Sequence, residues 1–414
     1  MKQFIKNILF KLPPYFKSFI PFYFCGKYYR KQIKFLKKFQ NFSKQEKEEY
    51  QKNKIKEIFT EASKNKYYSS IGITKNLKLQ DLKKIPFLTK EIAKKEDLTT
   101  LNKKKLKKSF TSGSTGIPLT IYRSNEENEH EAAVVDFLLL KSGVNIYKRV
   151  RILNIRQNRK EKIKKIGDIL YIALSFINEK NLKEILKQII EFNPQIIHAH
   201  PSVMTSFSKI ILSQNSQLCI NNLKVILLSS EILTEIDKKI IINTFNCKIL
   251  DYYSNEENSI CGYRIYPDME YMEFLEEYSY IEIINKELVC TSLVAKSMPF
   301  IRYKTGDYIT SNKLETVKNI SGRTNEYLID RYGQKIPIEN FSTYEYKGIE
   351  LYQFFQKENG VVEFRIKPLS KGKLNKKEIE KVLYKINNDI NYEIKEVKEF
   401  KRTENNKHKI LSEV

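Results

Sequence analysis

A chain of 414 residues has room for two or three domains at about 150 residues each. Its 41% hydrophobic and 30% charged composition excludes a disordered polymer. No run of ~18 uncharged apolar residues occurs, which excludes a transmembrane helix. The nearest candidate, residues 4–25, is broken by Lys6, Lys11 and Lys17 and by Pro13, Pro14 and Pro21, and it lacks the apolar stretch of a secretory signal. Lys and Arg total 74 against 49 Asp and Glu, a net charge of +25. The lysines spread along the whole chain, with no paired Cys/His set or Gly-aromatic repeat beside them. The excess therefore reads as a bias toward Lys, Asn and Ile, and no nucleic-acid partner is expected. The five cysteines form no C-x-x-C pair and the four histidines are dispersed, which argues against a zinc site. Reduced thiols and a cytoplasmic location are the expectation.

In chain order, residues 1–70 form a basic, aromatic, largely helical segment. Within it, 43–65 has helical periodicity with Ile55, Ile58 and Phe59 on one side, and Ser43 with Glu46 makes a capping box. Two readings of residues 4–35 stay open. They lie on the inner face of an anionic membrane, or their aromatics pack on the main domain. Ile85-Pro86-Phe87-Leu88-Thr89-Lys90 reads as an extended piece entering a helix. A strand over 119–122 and a helix over 125–142 follow. Strands near 150–153, 196–198, 225–228 and 249–252 then alternate with helices over 182–192, 202–211 and 234–245, the pattern of an α/β parallel sheet. From about 262 the pattern changes to short strands at 271–274, 279–284, 287–291 and 300–303, which suits a small antiparallel meander or barrel. A strand at 361–366, a helix at 374–387 and a strand at 392–397 suggest a small α+β tail, with its boundary near Asp330.

The most informative stretch is Thr111-Ser112-Gly113-Ser114-Thr115-Gly116-Ile117-Pro118. Glycines let backbone N–H groups converge on an anion, and four hydroxyls add donors. No Gly-Lys-Ser/Thr ends it, so it is not a Walker loop. Downstream lie Asp251-Tyr252-Tyr253-Ser254-Asn255-Glu256, then Arg302-Tyr303-Lys304-Thr305-Gly306-Asp307, then Gly322-Arg323.

In this order the motifs resemble those of the adenylate-forming (acyl-CoA synthetase-like, AMP-binding) superfamily, in its branch of phenylacetate-CoA ligases and their capsule-biosynthesis relatives. Ser229-Ser230-Glu231 and Pro299–Tyr303 add to the likeness, which covers nearly the whole chain. The resemblance implies a large domain over 71–330, completed by 1–70, with mixed α/β sheets and a small meander or barrel. It also implies a small, mobile C-terminal α+β domain over 331–414. It implies an ATP-dependent ligase that makes an acyl-AMP from a small carboxylate. The acyl group then passes to coenzyme A or to a sugar amine or hydroxyl, in capsule or surface-polysaccharide synthesis. An aryl-CoA ligase of catabolism and a catalytically impaired nucleotide-binding subunit are the alternatives.

The resemblance also assigns roles. Thr111, Ser112, Gly113, Ser114, Thr115 and Gly116 would cradle the β- and γ-phosphates, and Tyr252 would stack on adenine. Asn255 would donate to a phosphate or carboxylate oxygen. Glu256 would help hold Mg²⁺, and Ser230 and Glu231 would line the adenine edge. Asp307 would take both ribose hydroxyls, while Arg323 and Arg331 belong to the hinge motif. Lys407, at the end of Lys401-Arg402-Thr403-Glu404-Asn405-Asn406-Lys407, would reach the α-phosphate. Three positions depart from the family pattern: Tyr253 replaces a glycine, Asn255 a Ser/Thr, and Asn406 a glycine. His198 and His200 fall near the implied acyl pocket, where either one could orient a carboxylate or serve structure alone.

Overall fold

The computed structural model describes residues 26–111, 118–156, 159–216, 218–321, 327–342, 346–370, 374–400 and 407–412. The helices in chain order are α1 (Lys27–Phe39), α2 (Lys44–Ala62), α3 (Lys66–Ser70), α4 (Lys90–Lys95), α5 (Asn125–Lys141), α6 (Leu182–Phe192), α7 (Pro201–Ser213), α8 (Glu235–Phe245), α9 (Glu339–Ser342) and α10 (Lys376–Ile386). The strands run β1 (Lys107–Phe110), β2 (Thr120–Arg123), β3 (Ile152–Asn154), β4 (Ile163–Ile166), β5 (Ile169–Ile172), β6 (Ile196–Ala199), β7 (Val225–Ser229), β8 (Lys248–Ser254), β9 (Cys261–Tyr266) and β10 (Glu273–Phe274). They continue with β11 (Ser279–Ile284), β12 (Glu287–Ser292), β13 (Tyr303–Ile309), β14 (Ile320–Ser321), β15 (Tyr327–Ile329), β16 (Lys335–Pro337), β17 (Ile349–Glu358), β18 (Val361–Pro368), β19 (Asn391–Glu396) and β20 (Leu411–Ser412). The chain divides into two compact units, residues 1–150 with 252–320, and residues 151–251 with 321–414.

The first unit is built on its helices. α1 buries Tyr29, Ile33, Leu36 and Phe39, a spacing of three to four that lines one helical face. That face meets α5, where the Tyr29 N–H donates to Glu129 at 3.1 Å and its hydroxyl donates to buried Asp136. The described part of the basic-aromatic segment thus carries its apolar side inward. α2 starts with the expected Ser43–Glu46 box, each end of which satisfies the other's backbone N–H. Ile55, Phe59 and Tyr68 join Leu88, Leu119 and Phe300 in one core. The Ile85–Lys90 element is extended as expected. Leu88 bridges to the start of β13 through Leu88 N to Arg302 O (3.1 Å) and Lys304 N to Leu88 O (2.9 Å).

β11, β12 and β13 form the anticipated antiparallel meander. The strand expected at 300–303 instead begins at Tyr303 and runs to Ile309. Arg302 has φ 48°, in the left-handed region, which breaks extended pairing before it. Its guanidinium is held by Glu282 at 3.0 and 3.1 Å and donates to the carbonyls of Lys83 and Ile85. Those bonds hold the unusual backbone in place.

The second unit contains the parallel sheet. β3 pairs in parallel with β5 and β6, and β6 with β7, so the order is β7-β6-β3-β5 with β4 folded back antiparallel on β5. The β4–β5 hairpin was not expected from the sequence. Residues 248–251 of β8 continue this sheet beside β7, and 252–254 belong to the first unit, where β9 and β10 pair antiparallel. α6 buries Leu182, Ile185, Ile189 and Phe192, and it ends at left-handed Asn193, as α8 ends at left-handed Asn246. The C-terminal sheet, in order β19-β18-β17-β20, buries Phe354 and Phe364 against α10 residues Ile379 and Leu383. β17 was not anticipated. Its run of Ile349, Phe354 and other apolar residues alternates poorly, because both of its neighbours and a helix cover it.

Candidate functional site

In the first unit the phosphate-loop residues Ser112, Gly113, Ser114, Thr115 and Gly116 lie outside the described residues. The base of that loop is described. Thr111 N donates to Leu119 O and Leu119 N donates to Thr111 Oγ1, each at 3.0 Å. These two bonds join the ends of the segment between β1 and β2, which pair antiparallel.

β8 ends in the first unit with the Tyr252-Tyr253 pair. Tyr252 is 9% exposed, and its hydroxyl donates to Glu131 Oε1 at 2.5 Å. Glu131 also accepts from Tyr278 at 2.7 Å. Burial, with Cys261 and Glu131 adding to it, pushes the Tyr252 hydroxyl well above its ordinary range, so it stays protonated and donates to Glu131. Tyr253 turns its hydroxyl onto Asp307 Oδ2 at 2.7 Å. Asn255 closes its amide on Ser259, donating to Oγ at 2.7 Å and accepting from N at 3.0 Å. Glu256 is half exposed, and its Oε2 lies 3.0 Å from Nη2 of buried Arg123. Asp307 sits on β13, half-buried, beyond a fixed turn. Thr305 Oγ1 donates to Leu288 O at 2.8 Å and accepts from Asp307 N at 3.1 Å, while Gly306 takes φ 78°.

A carboxylate suits one Mg²⁺ that also binds phosphate oxygens, and half-exposed Glu256 fits that role. Among the described residues no group of three or more His, Cys, Asp or Glu could hold an ion unaided.

The second unit gathers polar groups at the carboxyl ends of its parallel strands, where α/β sheets bind ligands. Arg156, just past β3, places Nη1 3.2 Å from Nε2 of His198 on β6, and Nη2 donates to Ser230 Oγ beyond β7 at 2.9 Å. An arginine can only donate, so Nε2 of His198 is the acceptor and the ring proton sits on Nδ1. Burial first, then Arg156 and His200, hold the His198 pKa well below the usual range, so the ring is neutral. His200 shares a 3.2 Å contact with Ser229 O. Ser230 takes φ 74°, a left-handed value in a residue with a side chain.

Glu231 joins two distant segments. Its Oε2 accepts from Ser202 N at the start of α7, at 2.9 Å, and its Oε1 accepts from His408 N at 2.7 Å. The half-buried Lys407 is thereby held one residue from the Ser229–Glu231 turn. Arg331 is exposed and donates to Asn388 O at 2.9 Å, with Asp389 Oδ1 at 3.3 Å. Arg323 and residues 401–406, Asn406 among them, lie outside the described residues. Sequence reasoning missed Arg123, Glu131 and Arg156. The available signal was position alone: Arg123 ends β2 and Arg156 follows β3 by two residues.

This fold is that of the adenylate-forming ligases, as the motifs implied. The chain is similar to a solved 2-hydroxyisobutyryl-CoA ligase in its postadenylation state, in complex with an acyl-AMP, with TM-score 0.64 and 11% identity over 87% of this chain and 88% of that one. The same ligase with 2-HIB-AMP and CoA in its thioesterification state matches with TM-score 0.53 and 12% identity, covering 90% of each chain. A curated relative is the protein CapK of Staphylococcus aureus, 25% identical over 323 residues, which are 71% of this chain and 72% of CapK. No protein-family model matches.

Proposed function

We propose that this chain is an ATP-dependent ligase that activates a small carboxylic acid. A carboxylate oxygen attacks the α-phosphorus of ATP, the bond to the bridging oxygen of pyrophosphate breaks, and an acyl-AMP forms. A thiol of coenzyme A, or an amine or hydroxyl of a sugar, then attacks the acyl carbon and AMP leaves. Both starting reactants are anionic, so the first step needs donors and cations aimed at the transferring phosphoryl group.

In this reading the 111–116 loop binds the β- and γ-phosphates, and Asp307 accepts the ribose hydroxyls. Tyr252 stacks on adenine, Ser230 and Glu231 line the adenine edge, and Asn255 lies by the phosphates. Lys407 donates to the α-phosphate as charge builds there. Glu256 would hold Mg²⁺, which supplies neutralisation of phosphate charge when bound. Arg323 and Arg331 belong to the hinge, and residues 331–414 act as the mobile domain. The observation that carries the reading is Asp307. Its carboxylate is presented half-exposed from a pinned turn, inside a fold shared with a ligase solved with acyl-AMP. The likeness to CapK suggests a role in surface-polysaccharide synthesis.

Pyrophosphate release across a library of carboxylates, with and without coenzyme A, tests the proposal. Acid-dependent release is the expected result. ATP binding without acid-dependent release would favour a second reading, a nucleotide-binding subunit without catalysis. That reading draws on Asn255, whose amide donates to and accepts from Ser259.

A further inference from the structure

Tyr253 stands where the family pattern has a glycine, and its side chain has a defined place. The ring lies edge-on to Phe274, with centroids 6.4 Å apart, beside a core that includes Ile260, Met272 and Leu288. From there its hydroxyl reaches Asp307 Oδ2 at 2.7 Å. The backbone of Asp307 is fixed independently, by Thr305 Oγ1 on its N–H and by Gly306 N donating to Glu287 Oε1 at 3.1 Å. A carboxylate offers about four lone-pair positions, and Tyr253 takes one of them.

We infer that Tyr253 is a positioning residue for nucleotide recognition, acting through Asp307: it sets the carboxylate plane so that the remaining lone pairs meet the ribose hydroxyls. This rests on the proposed ribose role of Asp307. The aromatic ring supplies rigidity, since it is anchored by packing, and the hydroxyl supplies a bond to a charged acceptor, the stronger kind of hydrogen bond. Burial, followed by the neighbouring Asp307 charge, raises the Tyr253 pKa well above its ordinary value, so the donor persists at every pH where the protein is handled.

Calorimetric titration of ATP and of 2′,3′-dideoxyATP into the full-length wild type, Tyr253→Phe, Asp307→Ala and the double variant tests this. Phenylalanine keeps the packing on Phe274, and a thermal melt checks that each variant is folded. Tyr253→Phe should weaken ATP roughly 3- to 10-fold, a fraction of what a charge-assisted hydrogen bond contributes. It should leave dideoxyATP affinity unchanged, and it should add nothing in the Asp307→Ala background. Equal weakening of both nucleotides, additivity with Asp307→Ala, or unchanged ATP affinity would overturn the positioning role. Absence of ATP binding by the folded wild type would overturn the ligase reading together with it.

Discussion

The two units hold their candidate ligand groups by opposite electrostatic means. In the first, acidic side chains are tethered by phenolic donors: Glu131 by Tyr252 and Tyr278, and Asp307 by Tyr253. In each case the phenol hydroxyl fixes the orientation of the acid. In the second, a guanidinium is set by neutral acceptors, His198 and Ser230. The lesson is that an aligned side chain needs a partner that does not cancel the charge it will use. Tyrosine serves acids in this way, and a buried neutral histidine serves arginine.

Lys407→Ala is expected to give the largest effect, lowering the adenylation rate about 10²-fold or more, because the lost donor faces charge that develops only in the transition state. ATP affinity, and consumption of supplied acyl-AMP, should stay near wild type. Single-turnover assays of each half-reaction check both. If adenylation is unchanged, Lys409 becomes the residue to test.

Asp307→Ala removes the acceptor that the first unit tethers. Nucleotide affinity should fall by roughly 10-fold or more, from the loss of charge-assisted hydrogen bonds. Equilibrium binding of ATP and AMP is the measurement, and equal affinity in the variant would detach Asp307 from the nucleotide.

Arg156→Gln sharpens the other half of the contrast. With the cation gone, the His198 ring loses both its donor and a neighbouring charge that disfavours protonation. Its pKa should rise, seen as a shifted titration of the ring resonances by NMR. Activity with the preferred acid should drop by several-fold, about the worth of one charged hydrogen bond. An unmoved His198 titration would show that burial alone keeps the ring neutral.

Two buried groups of the first unit titrate with opposite sign. Burial lifts Glu277 to about 7, with Glu273 and Glu276 adding to the shift, and burial lowers His130 to about 4. An acid whose folded pKa is raised binds protons more tightly when folded, so its contribution is lost as pH rises from about 4.5 to 7. A histidine whose folded pKa is depressed contributes above about 6.5 and loses that contribution as pH falls toward 4. Glu277→Gln should therefore gain stability over wild type as pH increases through 4.5–7 and hold a constant advantage above it, by at most about 1.4 kcal/mol per pH unit. Denaturant melts at pH 5, 6, 7 and 8 would show it, and a pH-independent difference would mean that Glu277 stays ionised in the folded state.

Local pattern was enough for the regular elements. The α6 boundaries follow from Leu182, Ile185, Ile189 and Phe192 and from Asn193, and the α2 start from Ser43 and Glu46. β6, β7 and β8 were legible because strands buried on both faces are continuous apolar runs. The β13 start was misplaced by three residues because nothing local marks Arg302 as left-handed; the Glu282, Lys83 and Ile85 partners that hold it are 20 to 219 residues away in sequence.

The sequence by itself determined the motif order, the alternating α/β stretch and the meander. All of these rest on composition and spacing within a few residues, where turn chemistry and periodicity act. Only the tertiary structure decided how the candidate residues are held. It placed Tyr253 on Asp307, closed Asn255 on Ser259, set Arg156 between His198 and Ser230, and joined Glu231 to His408. Apart from the local Asn255–Ser259 pair, these pairings join residues 42 to 177 apart in sequence, brought together only by packing. A hydrogen bond needs its partners within about 3.2 Å, a precision that only packing imposes.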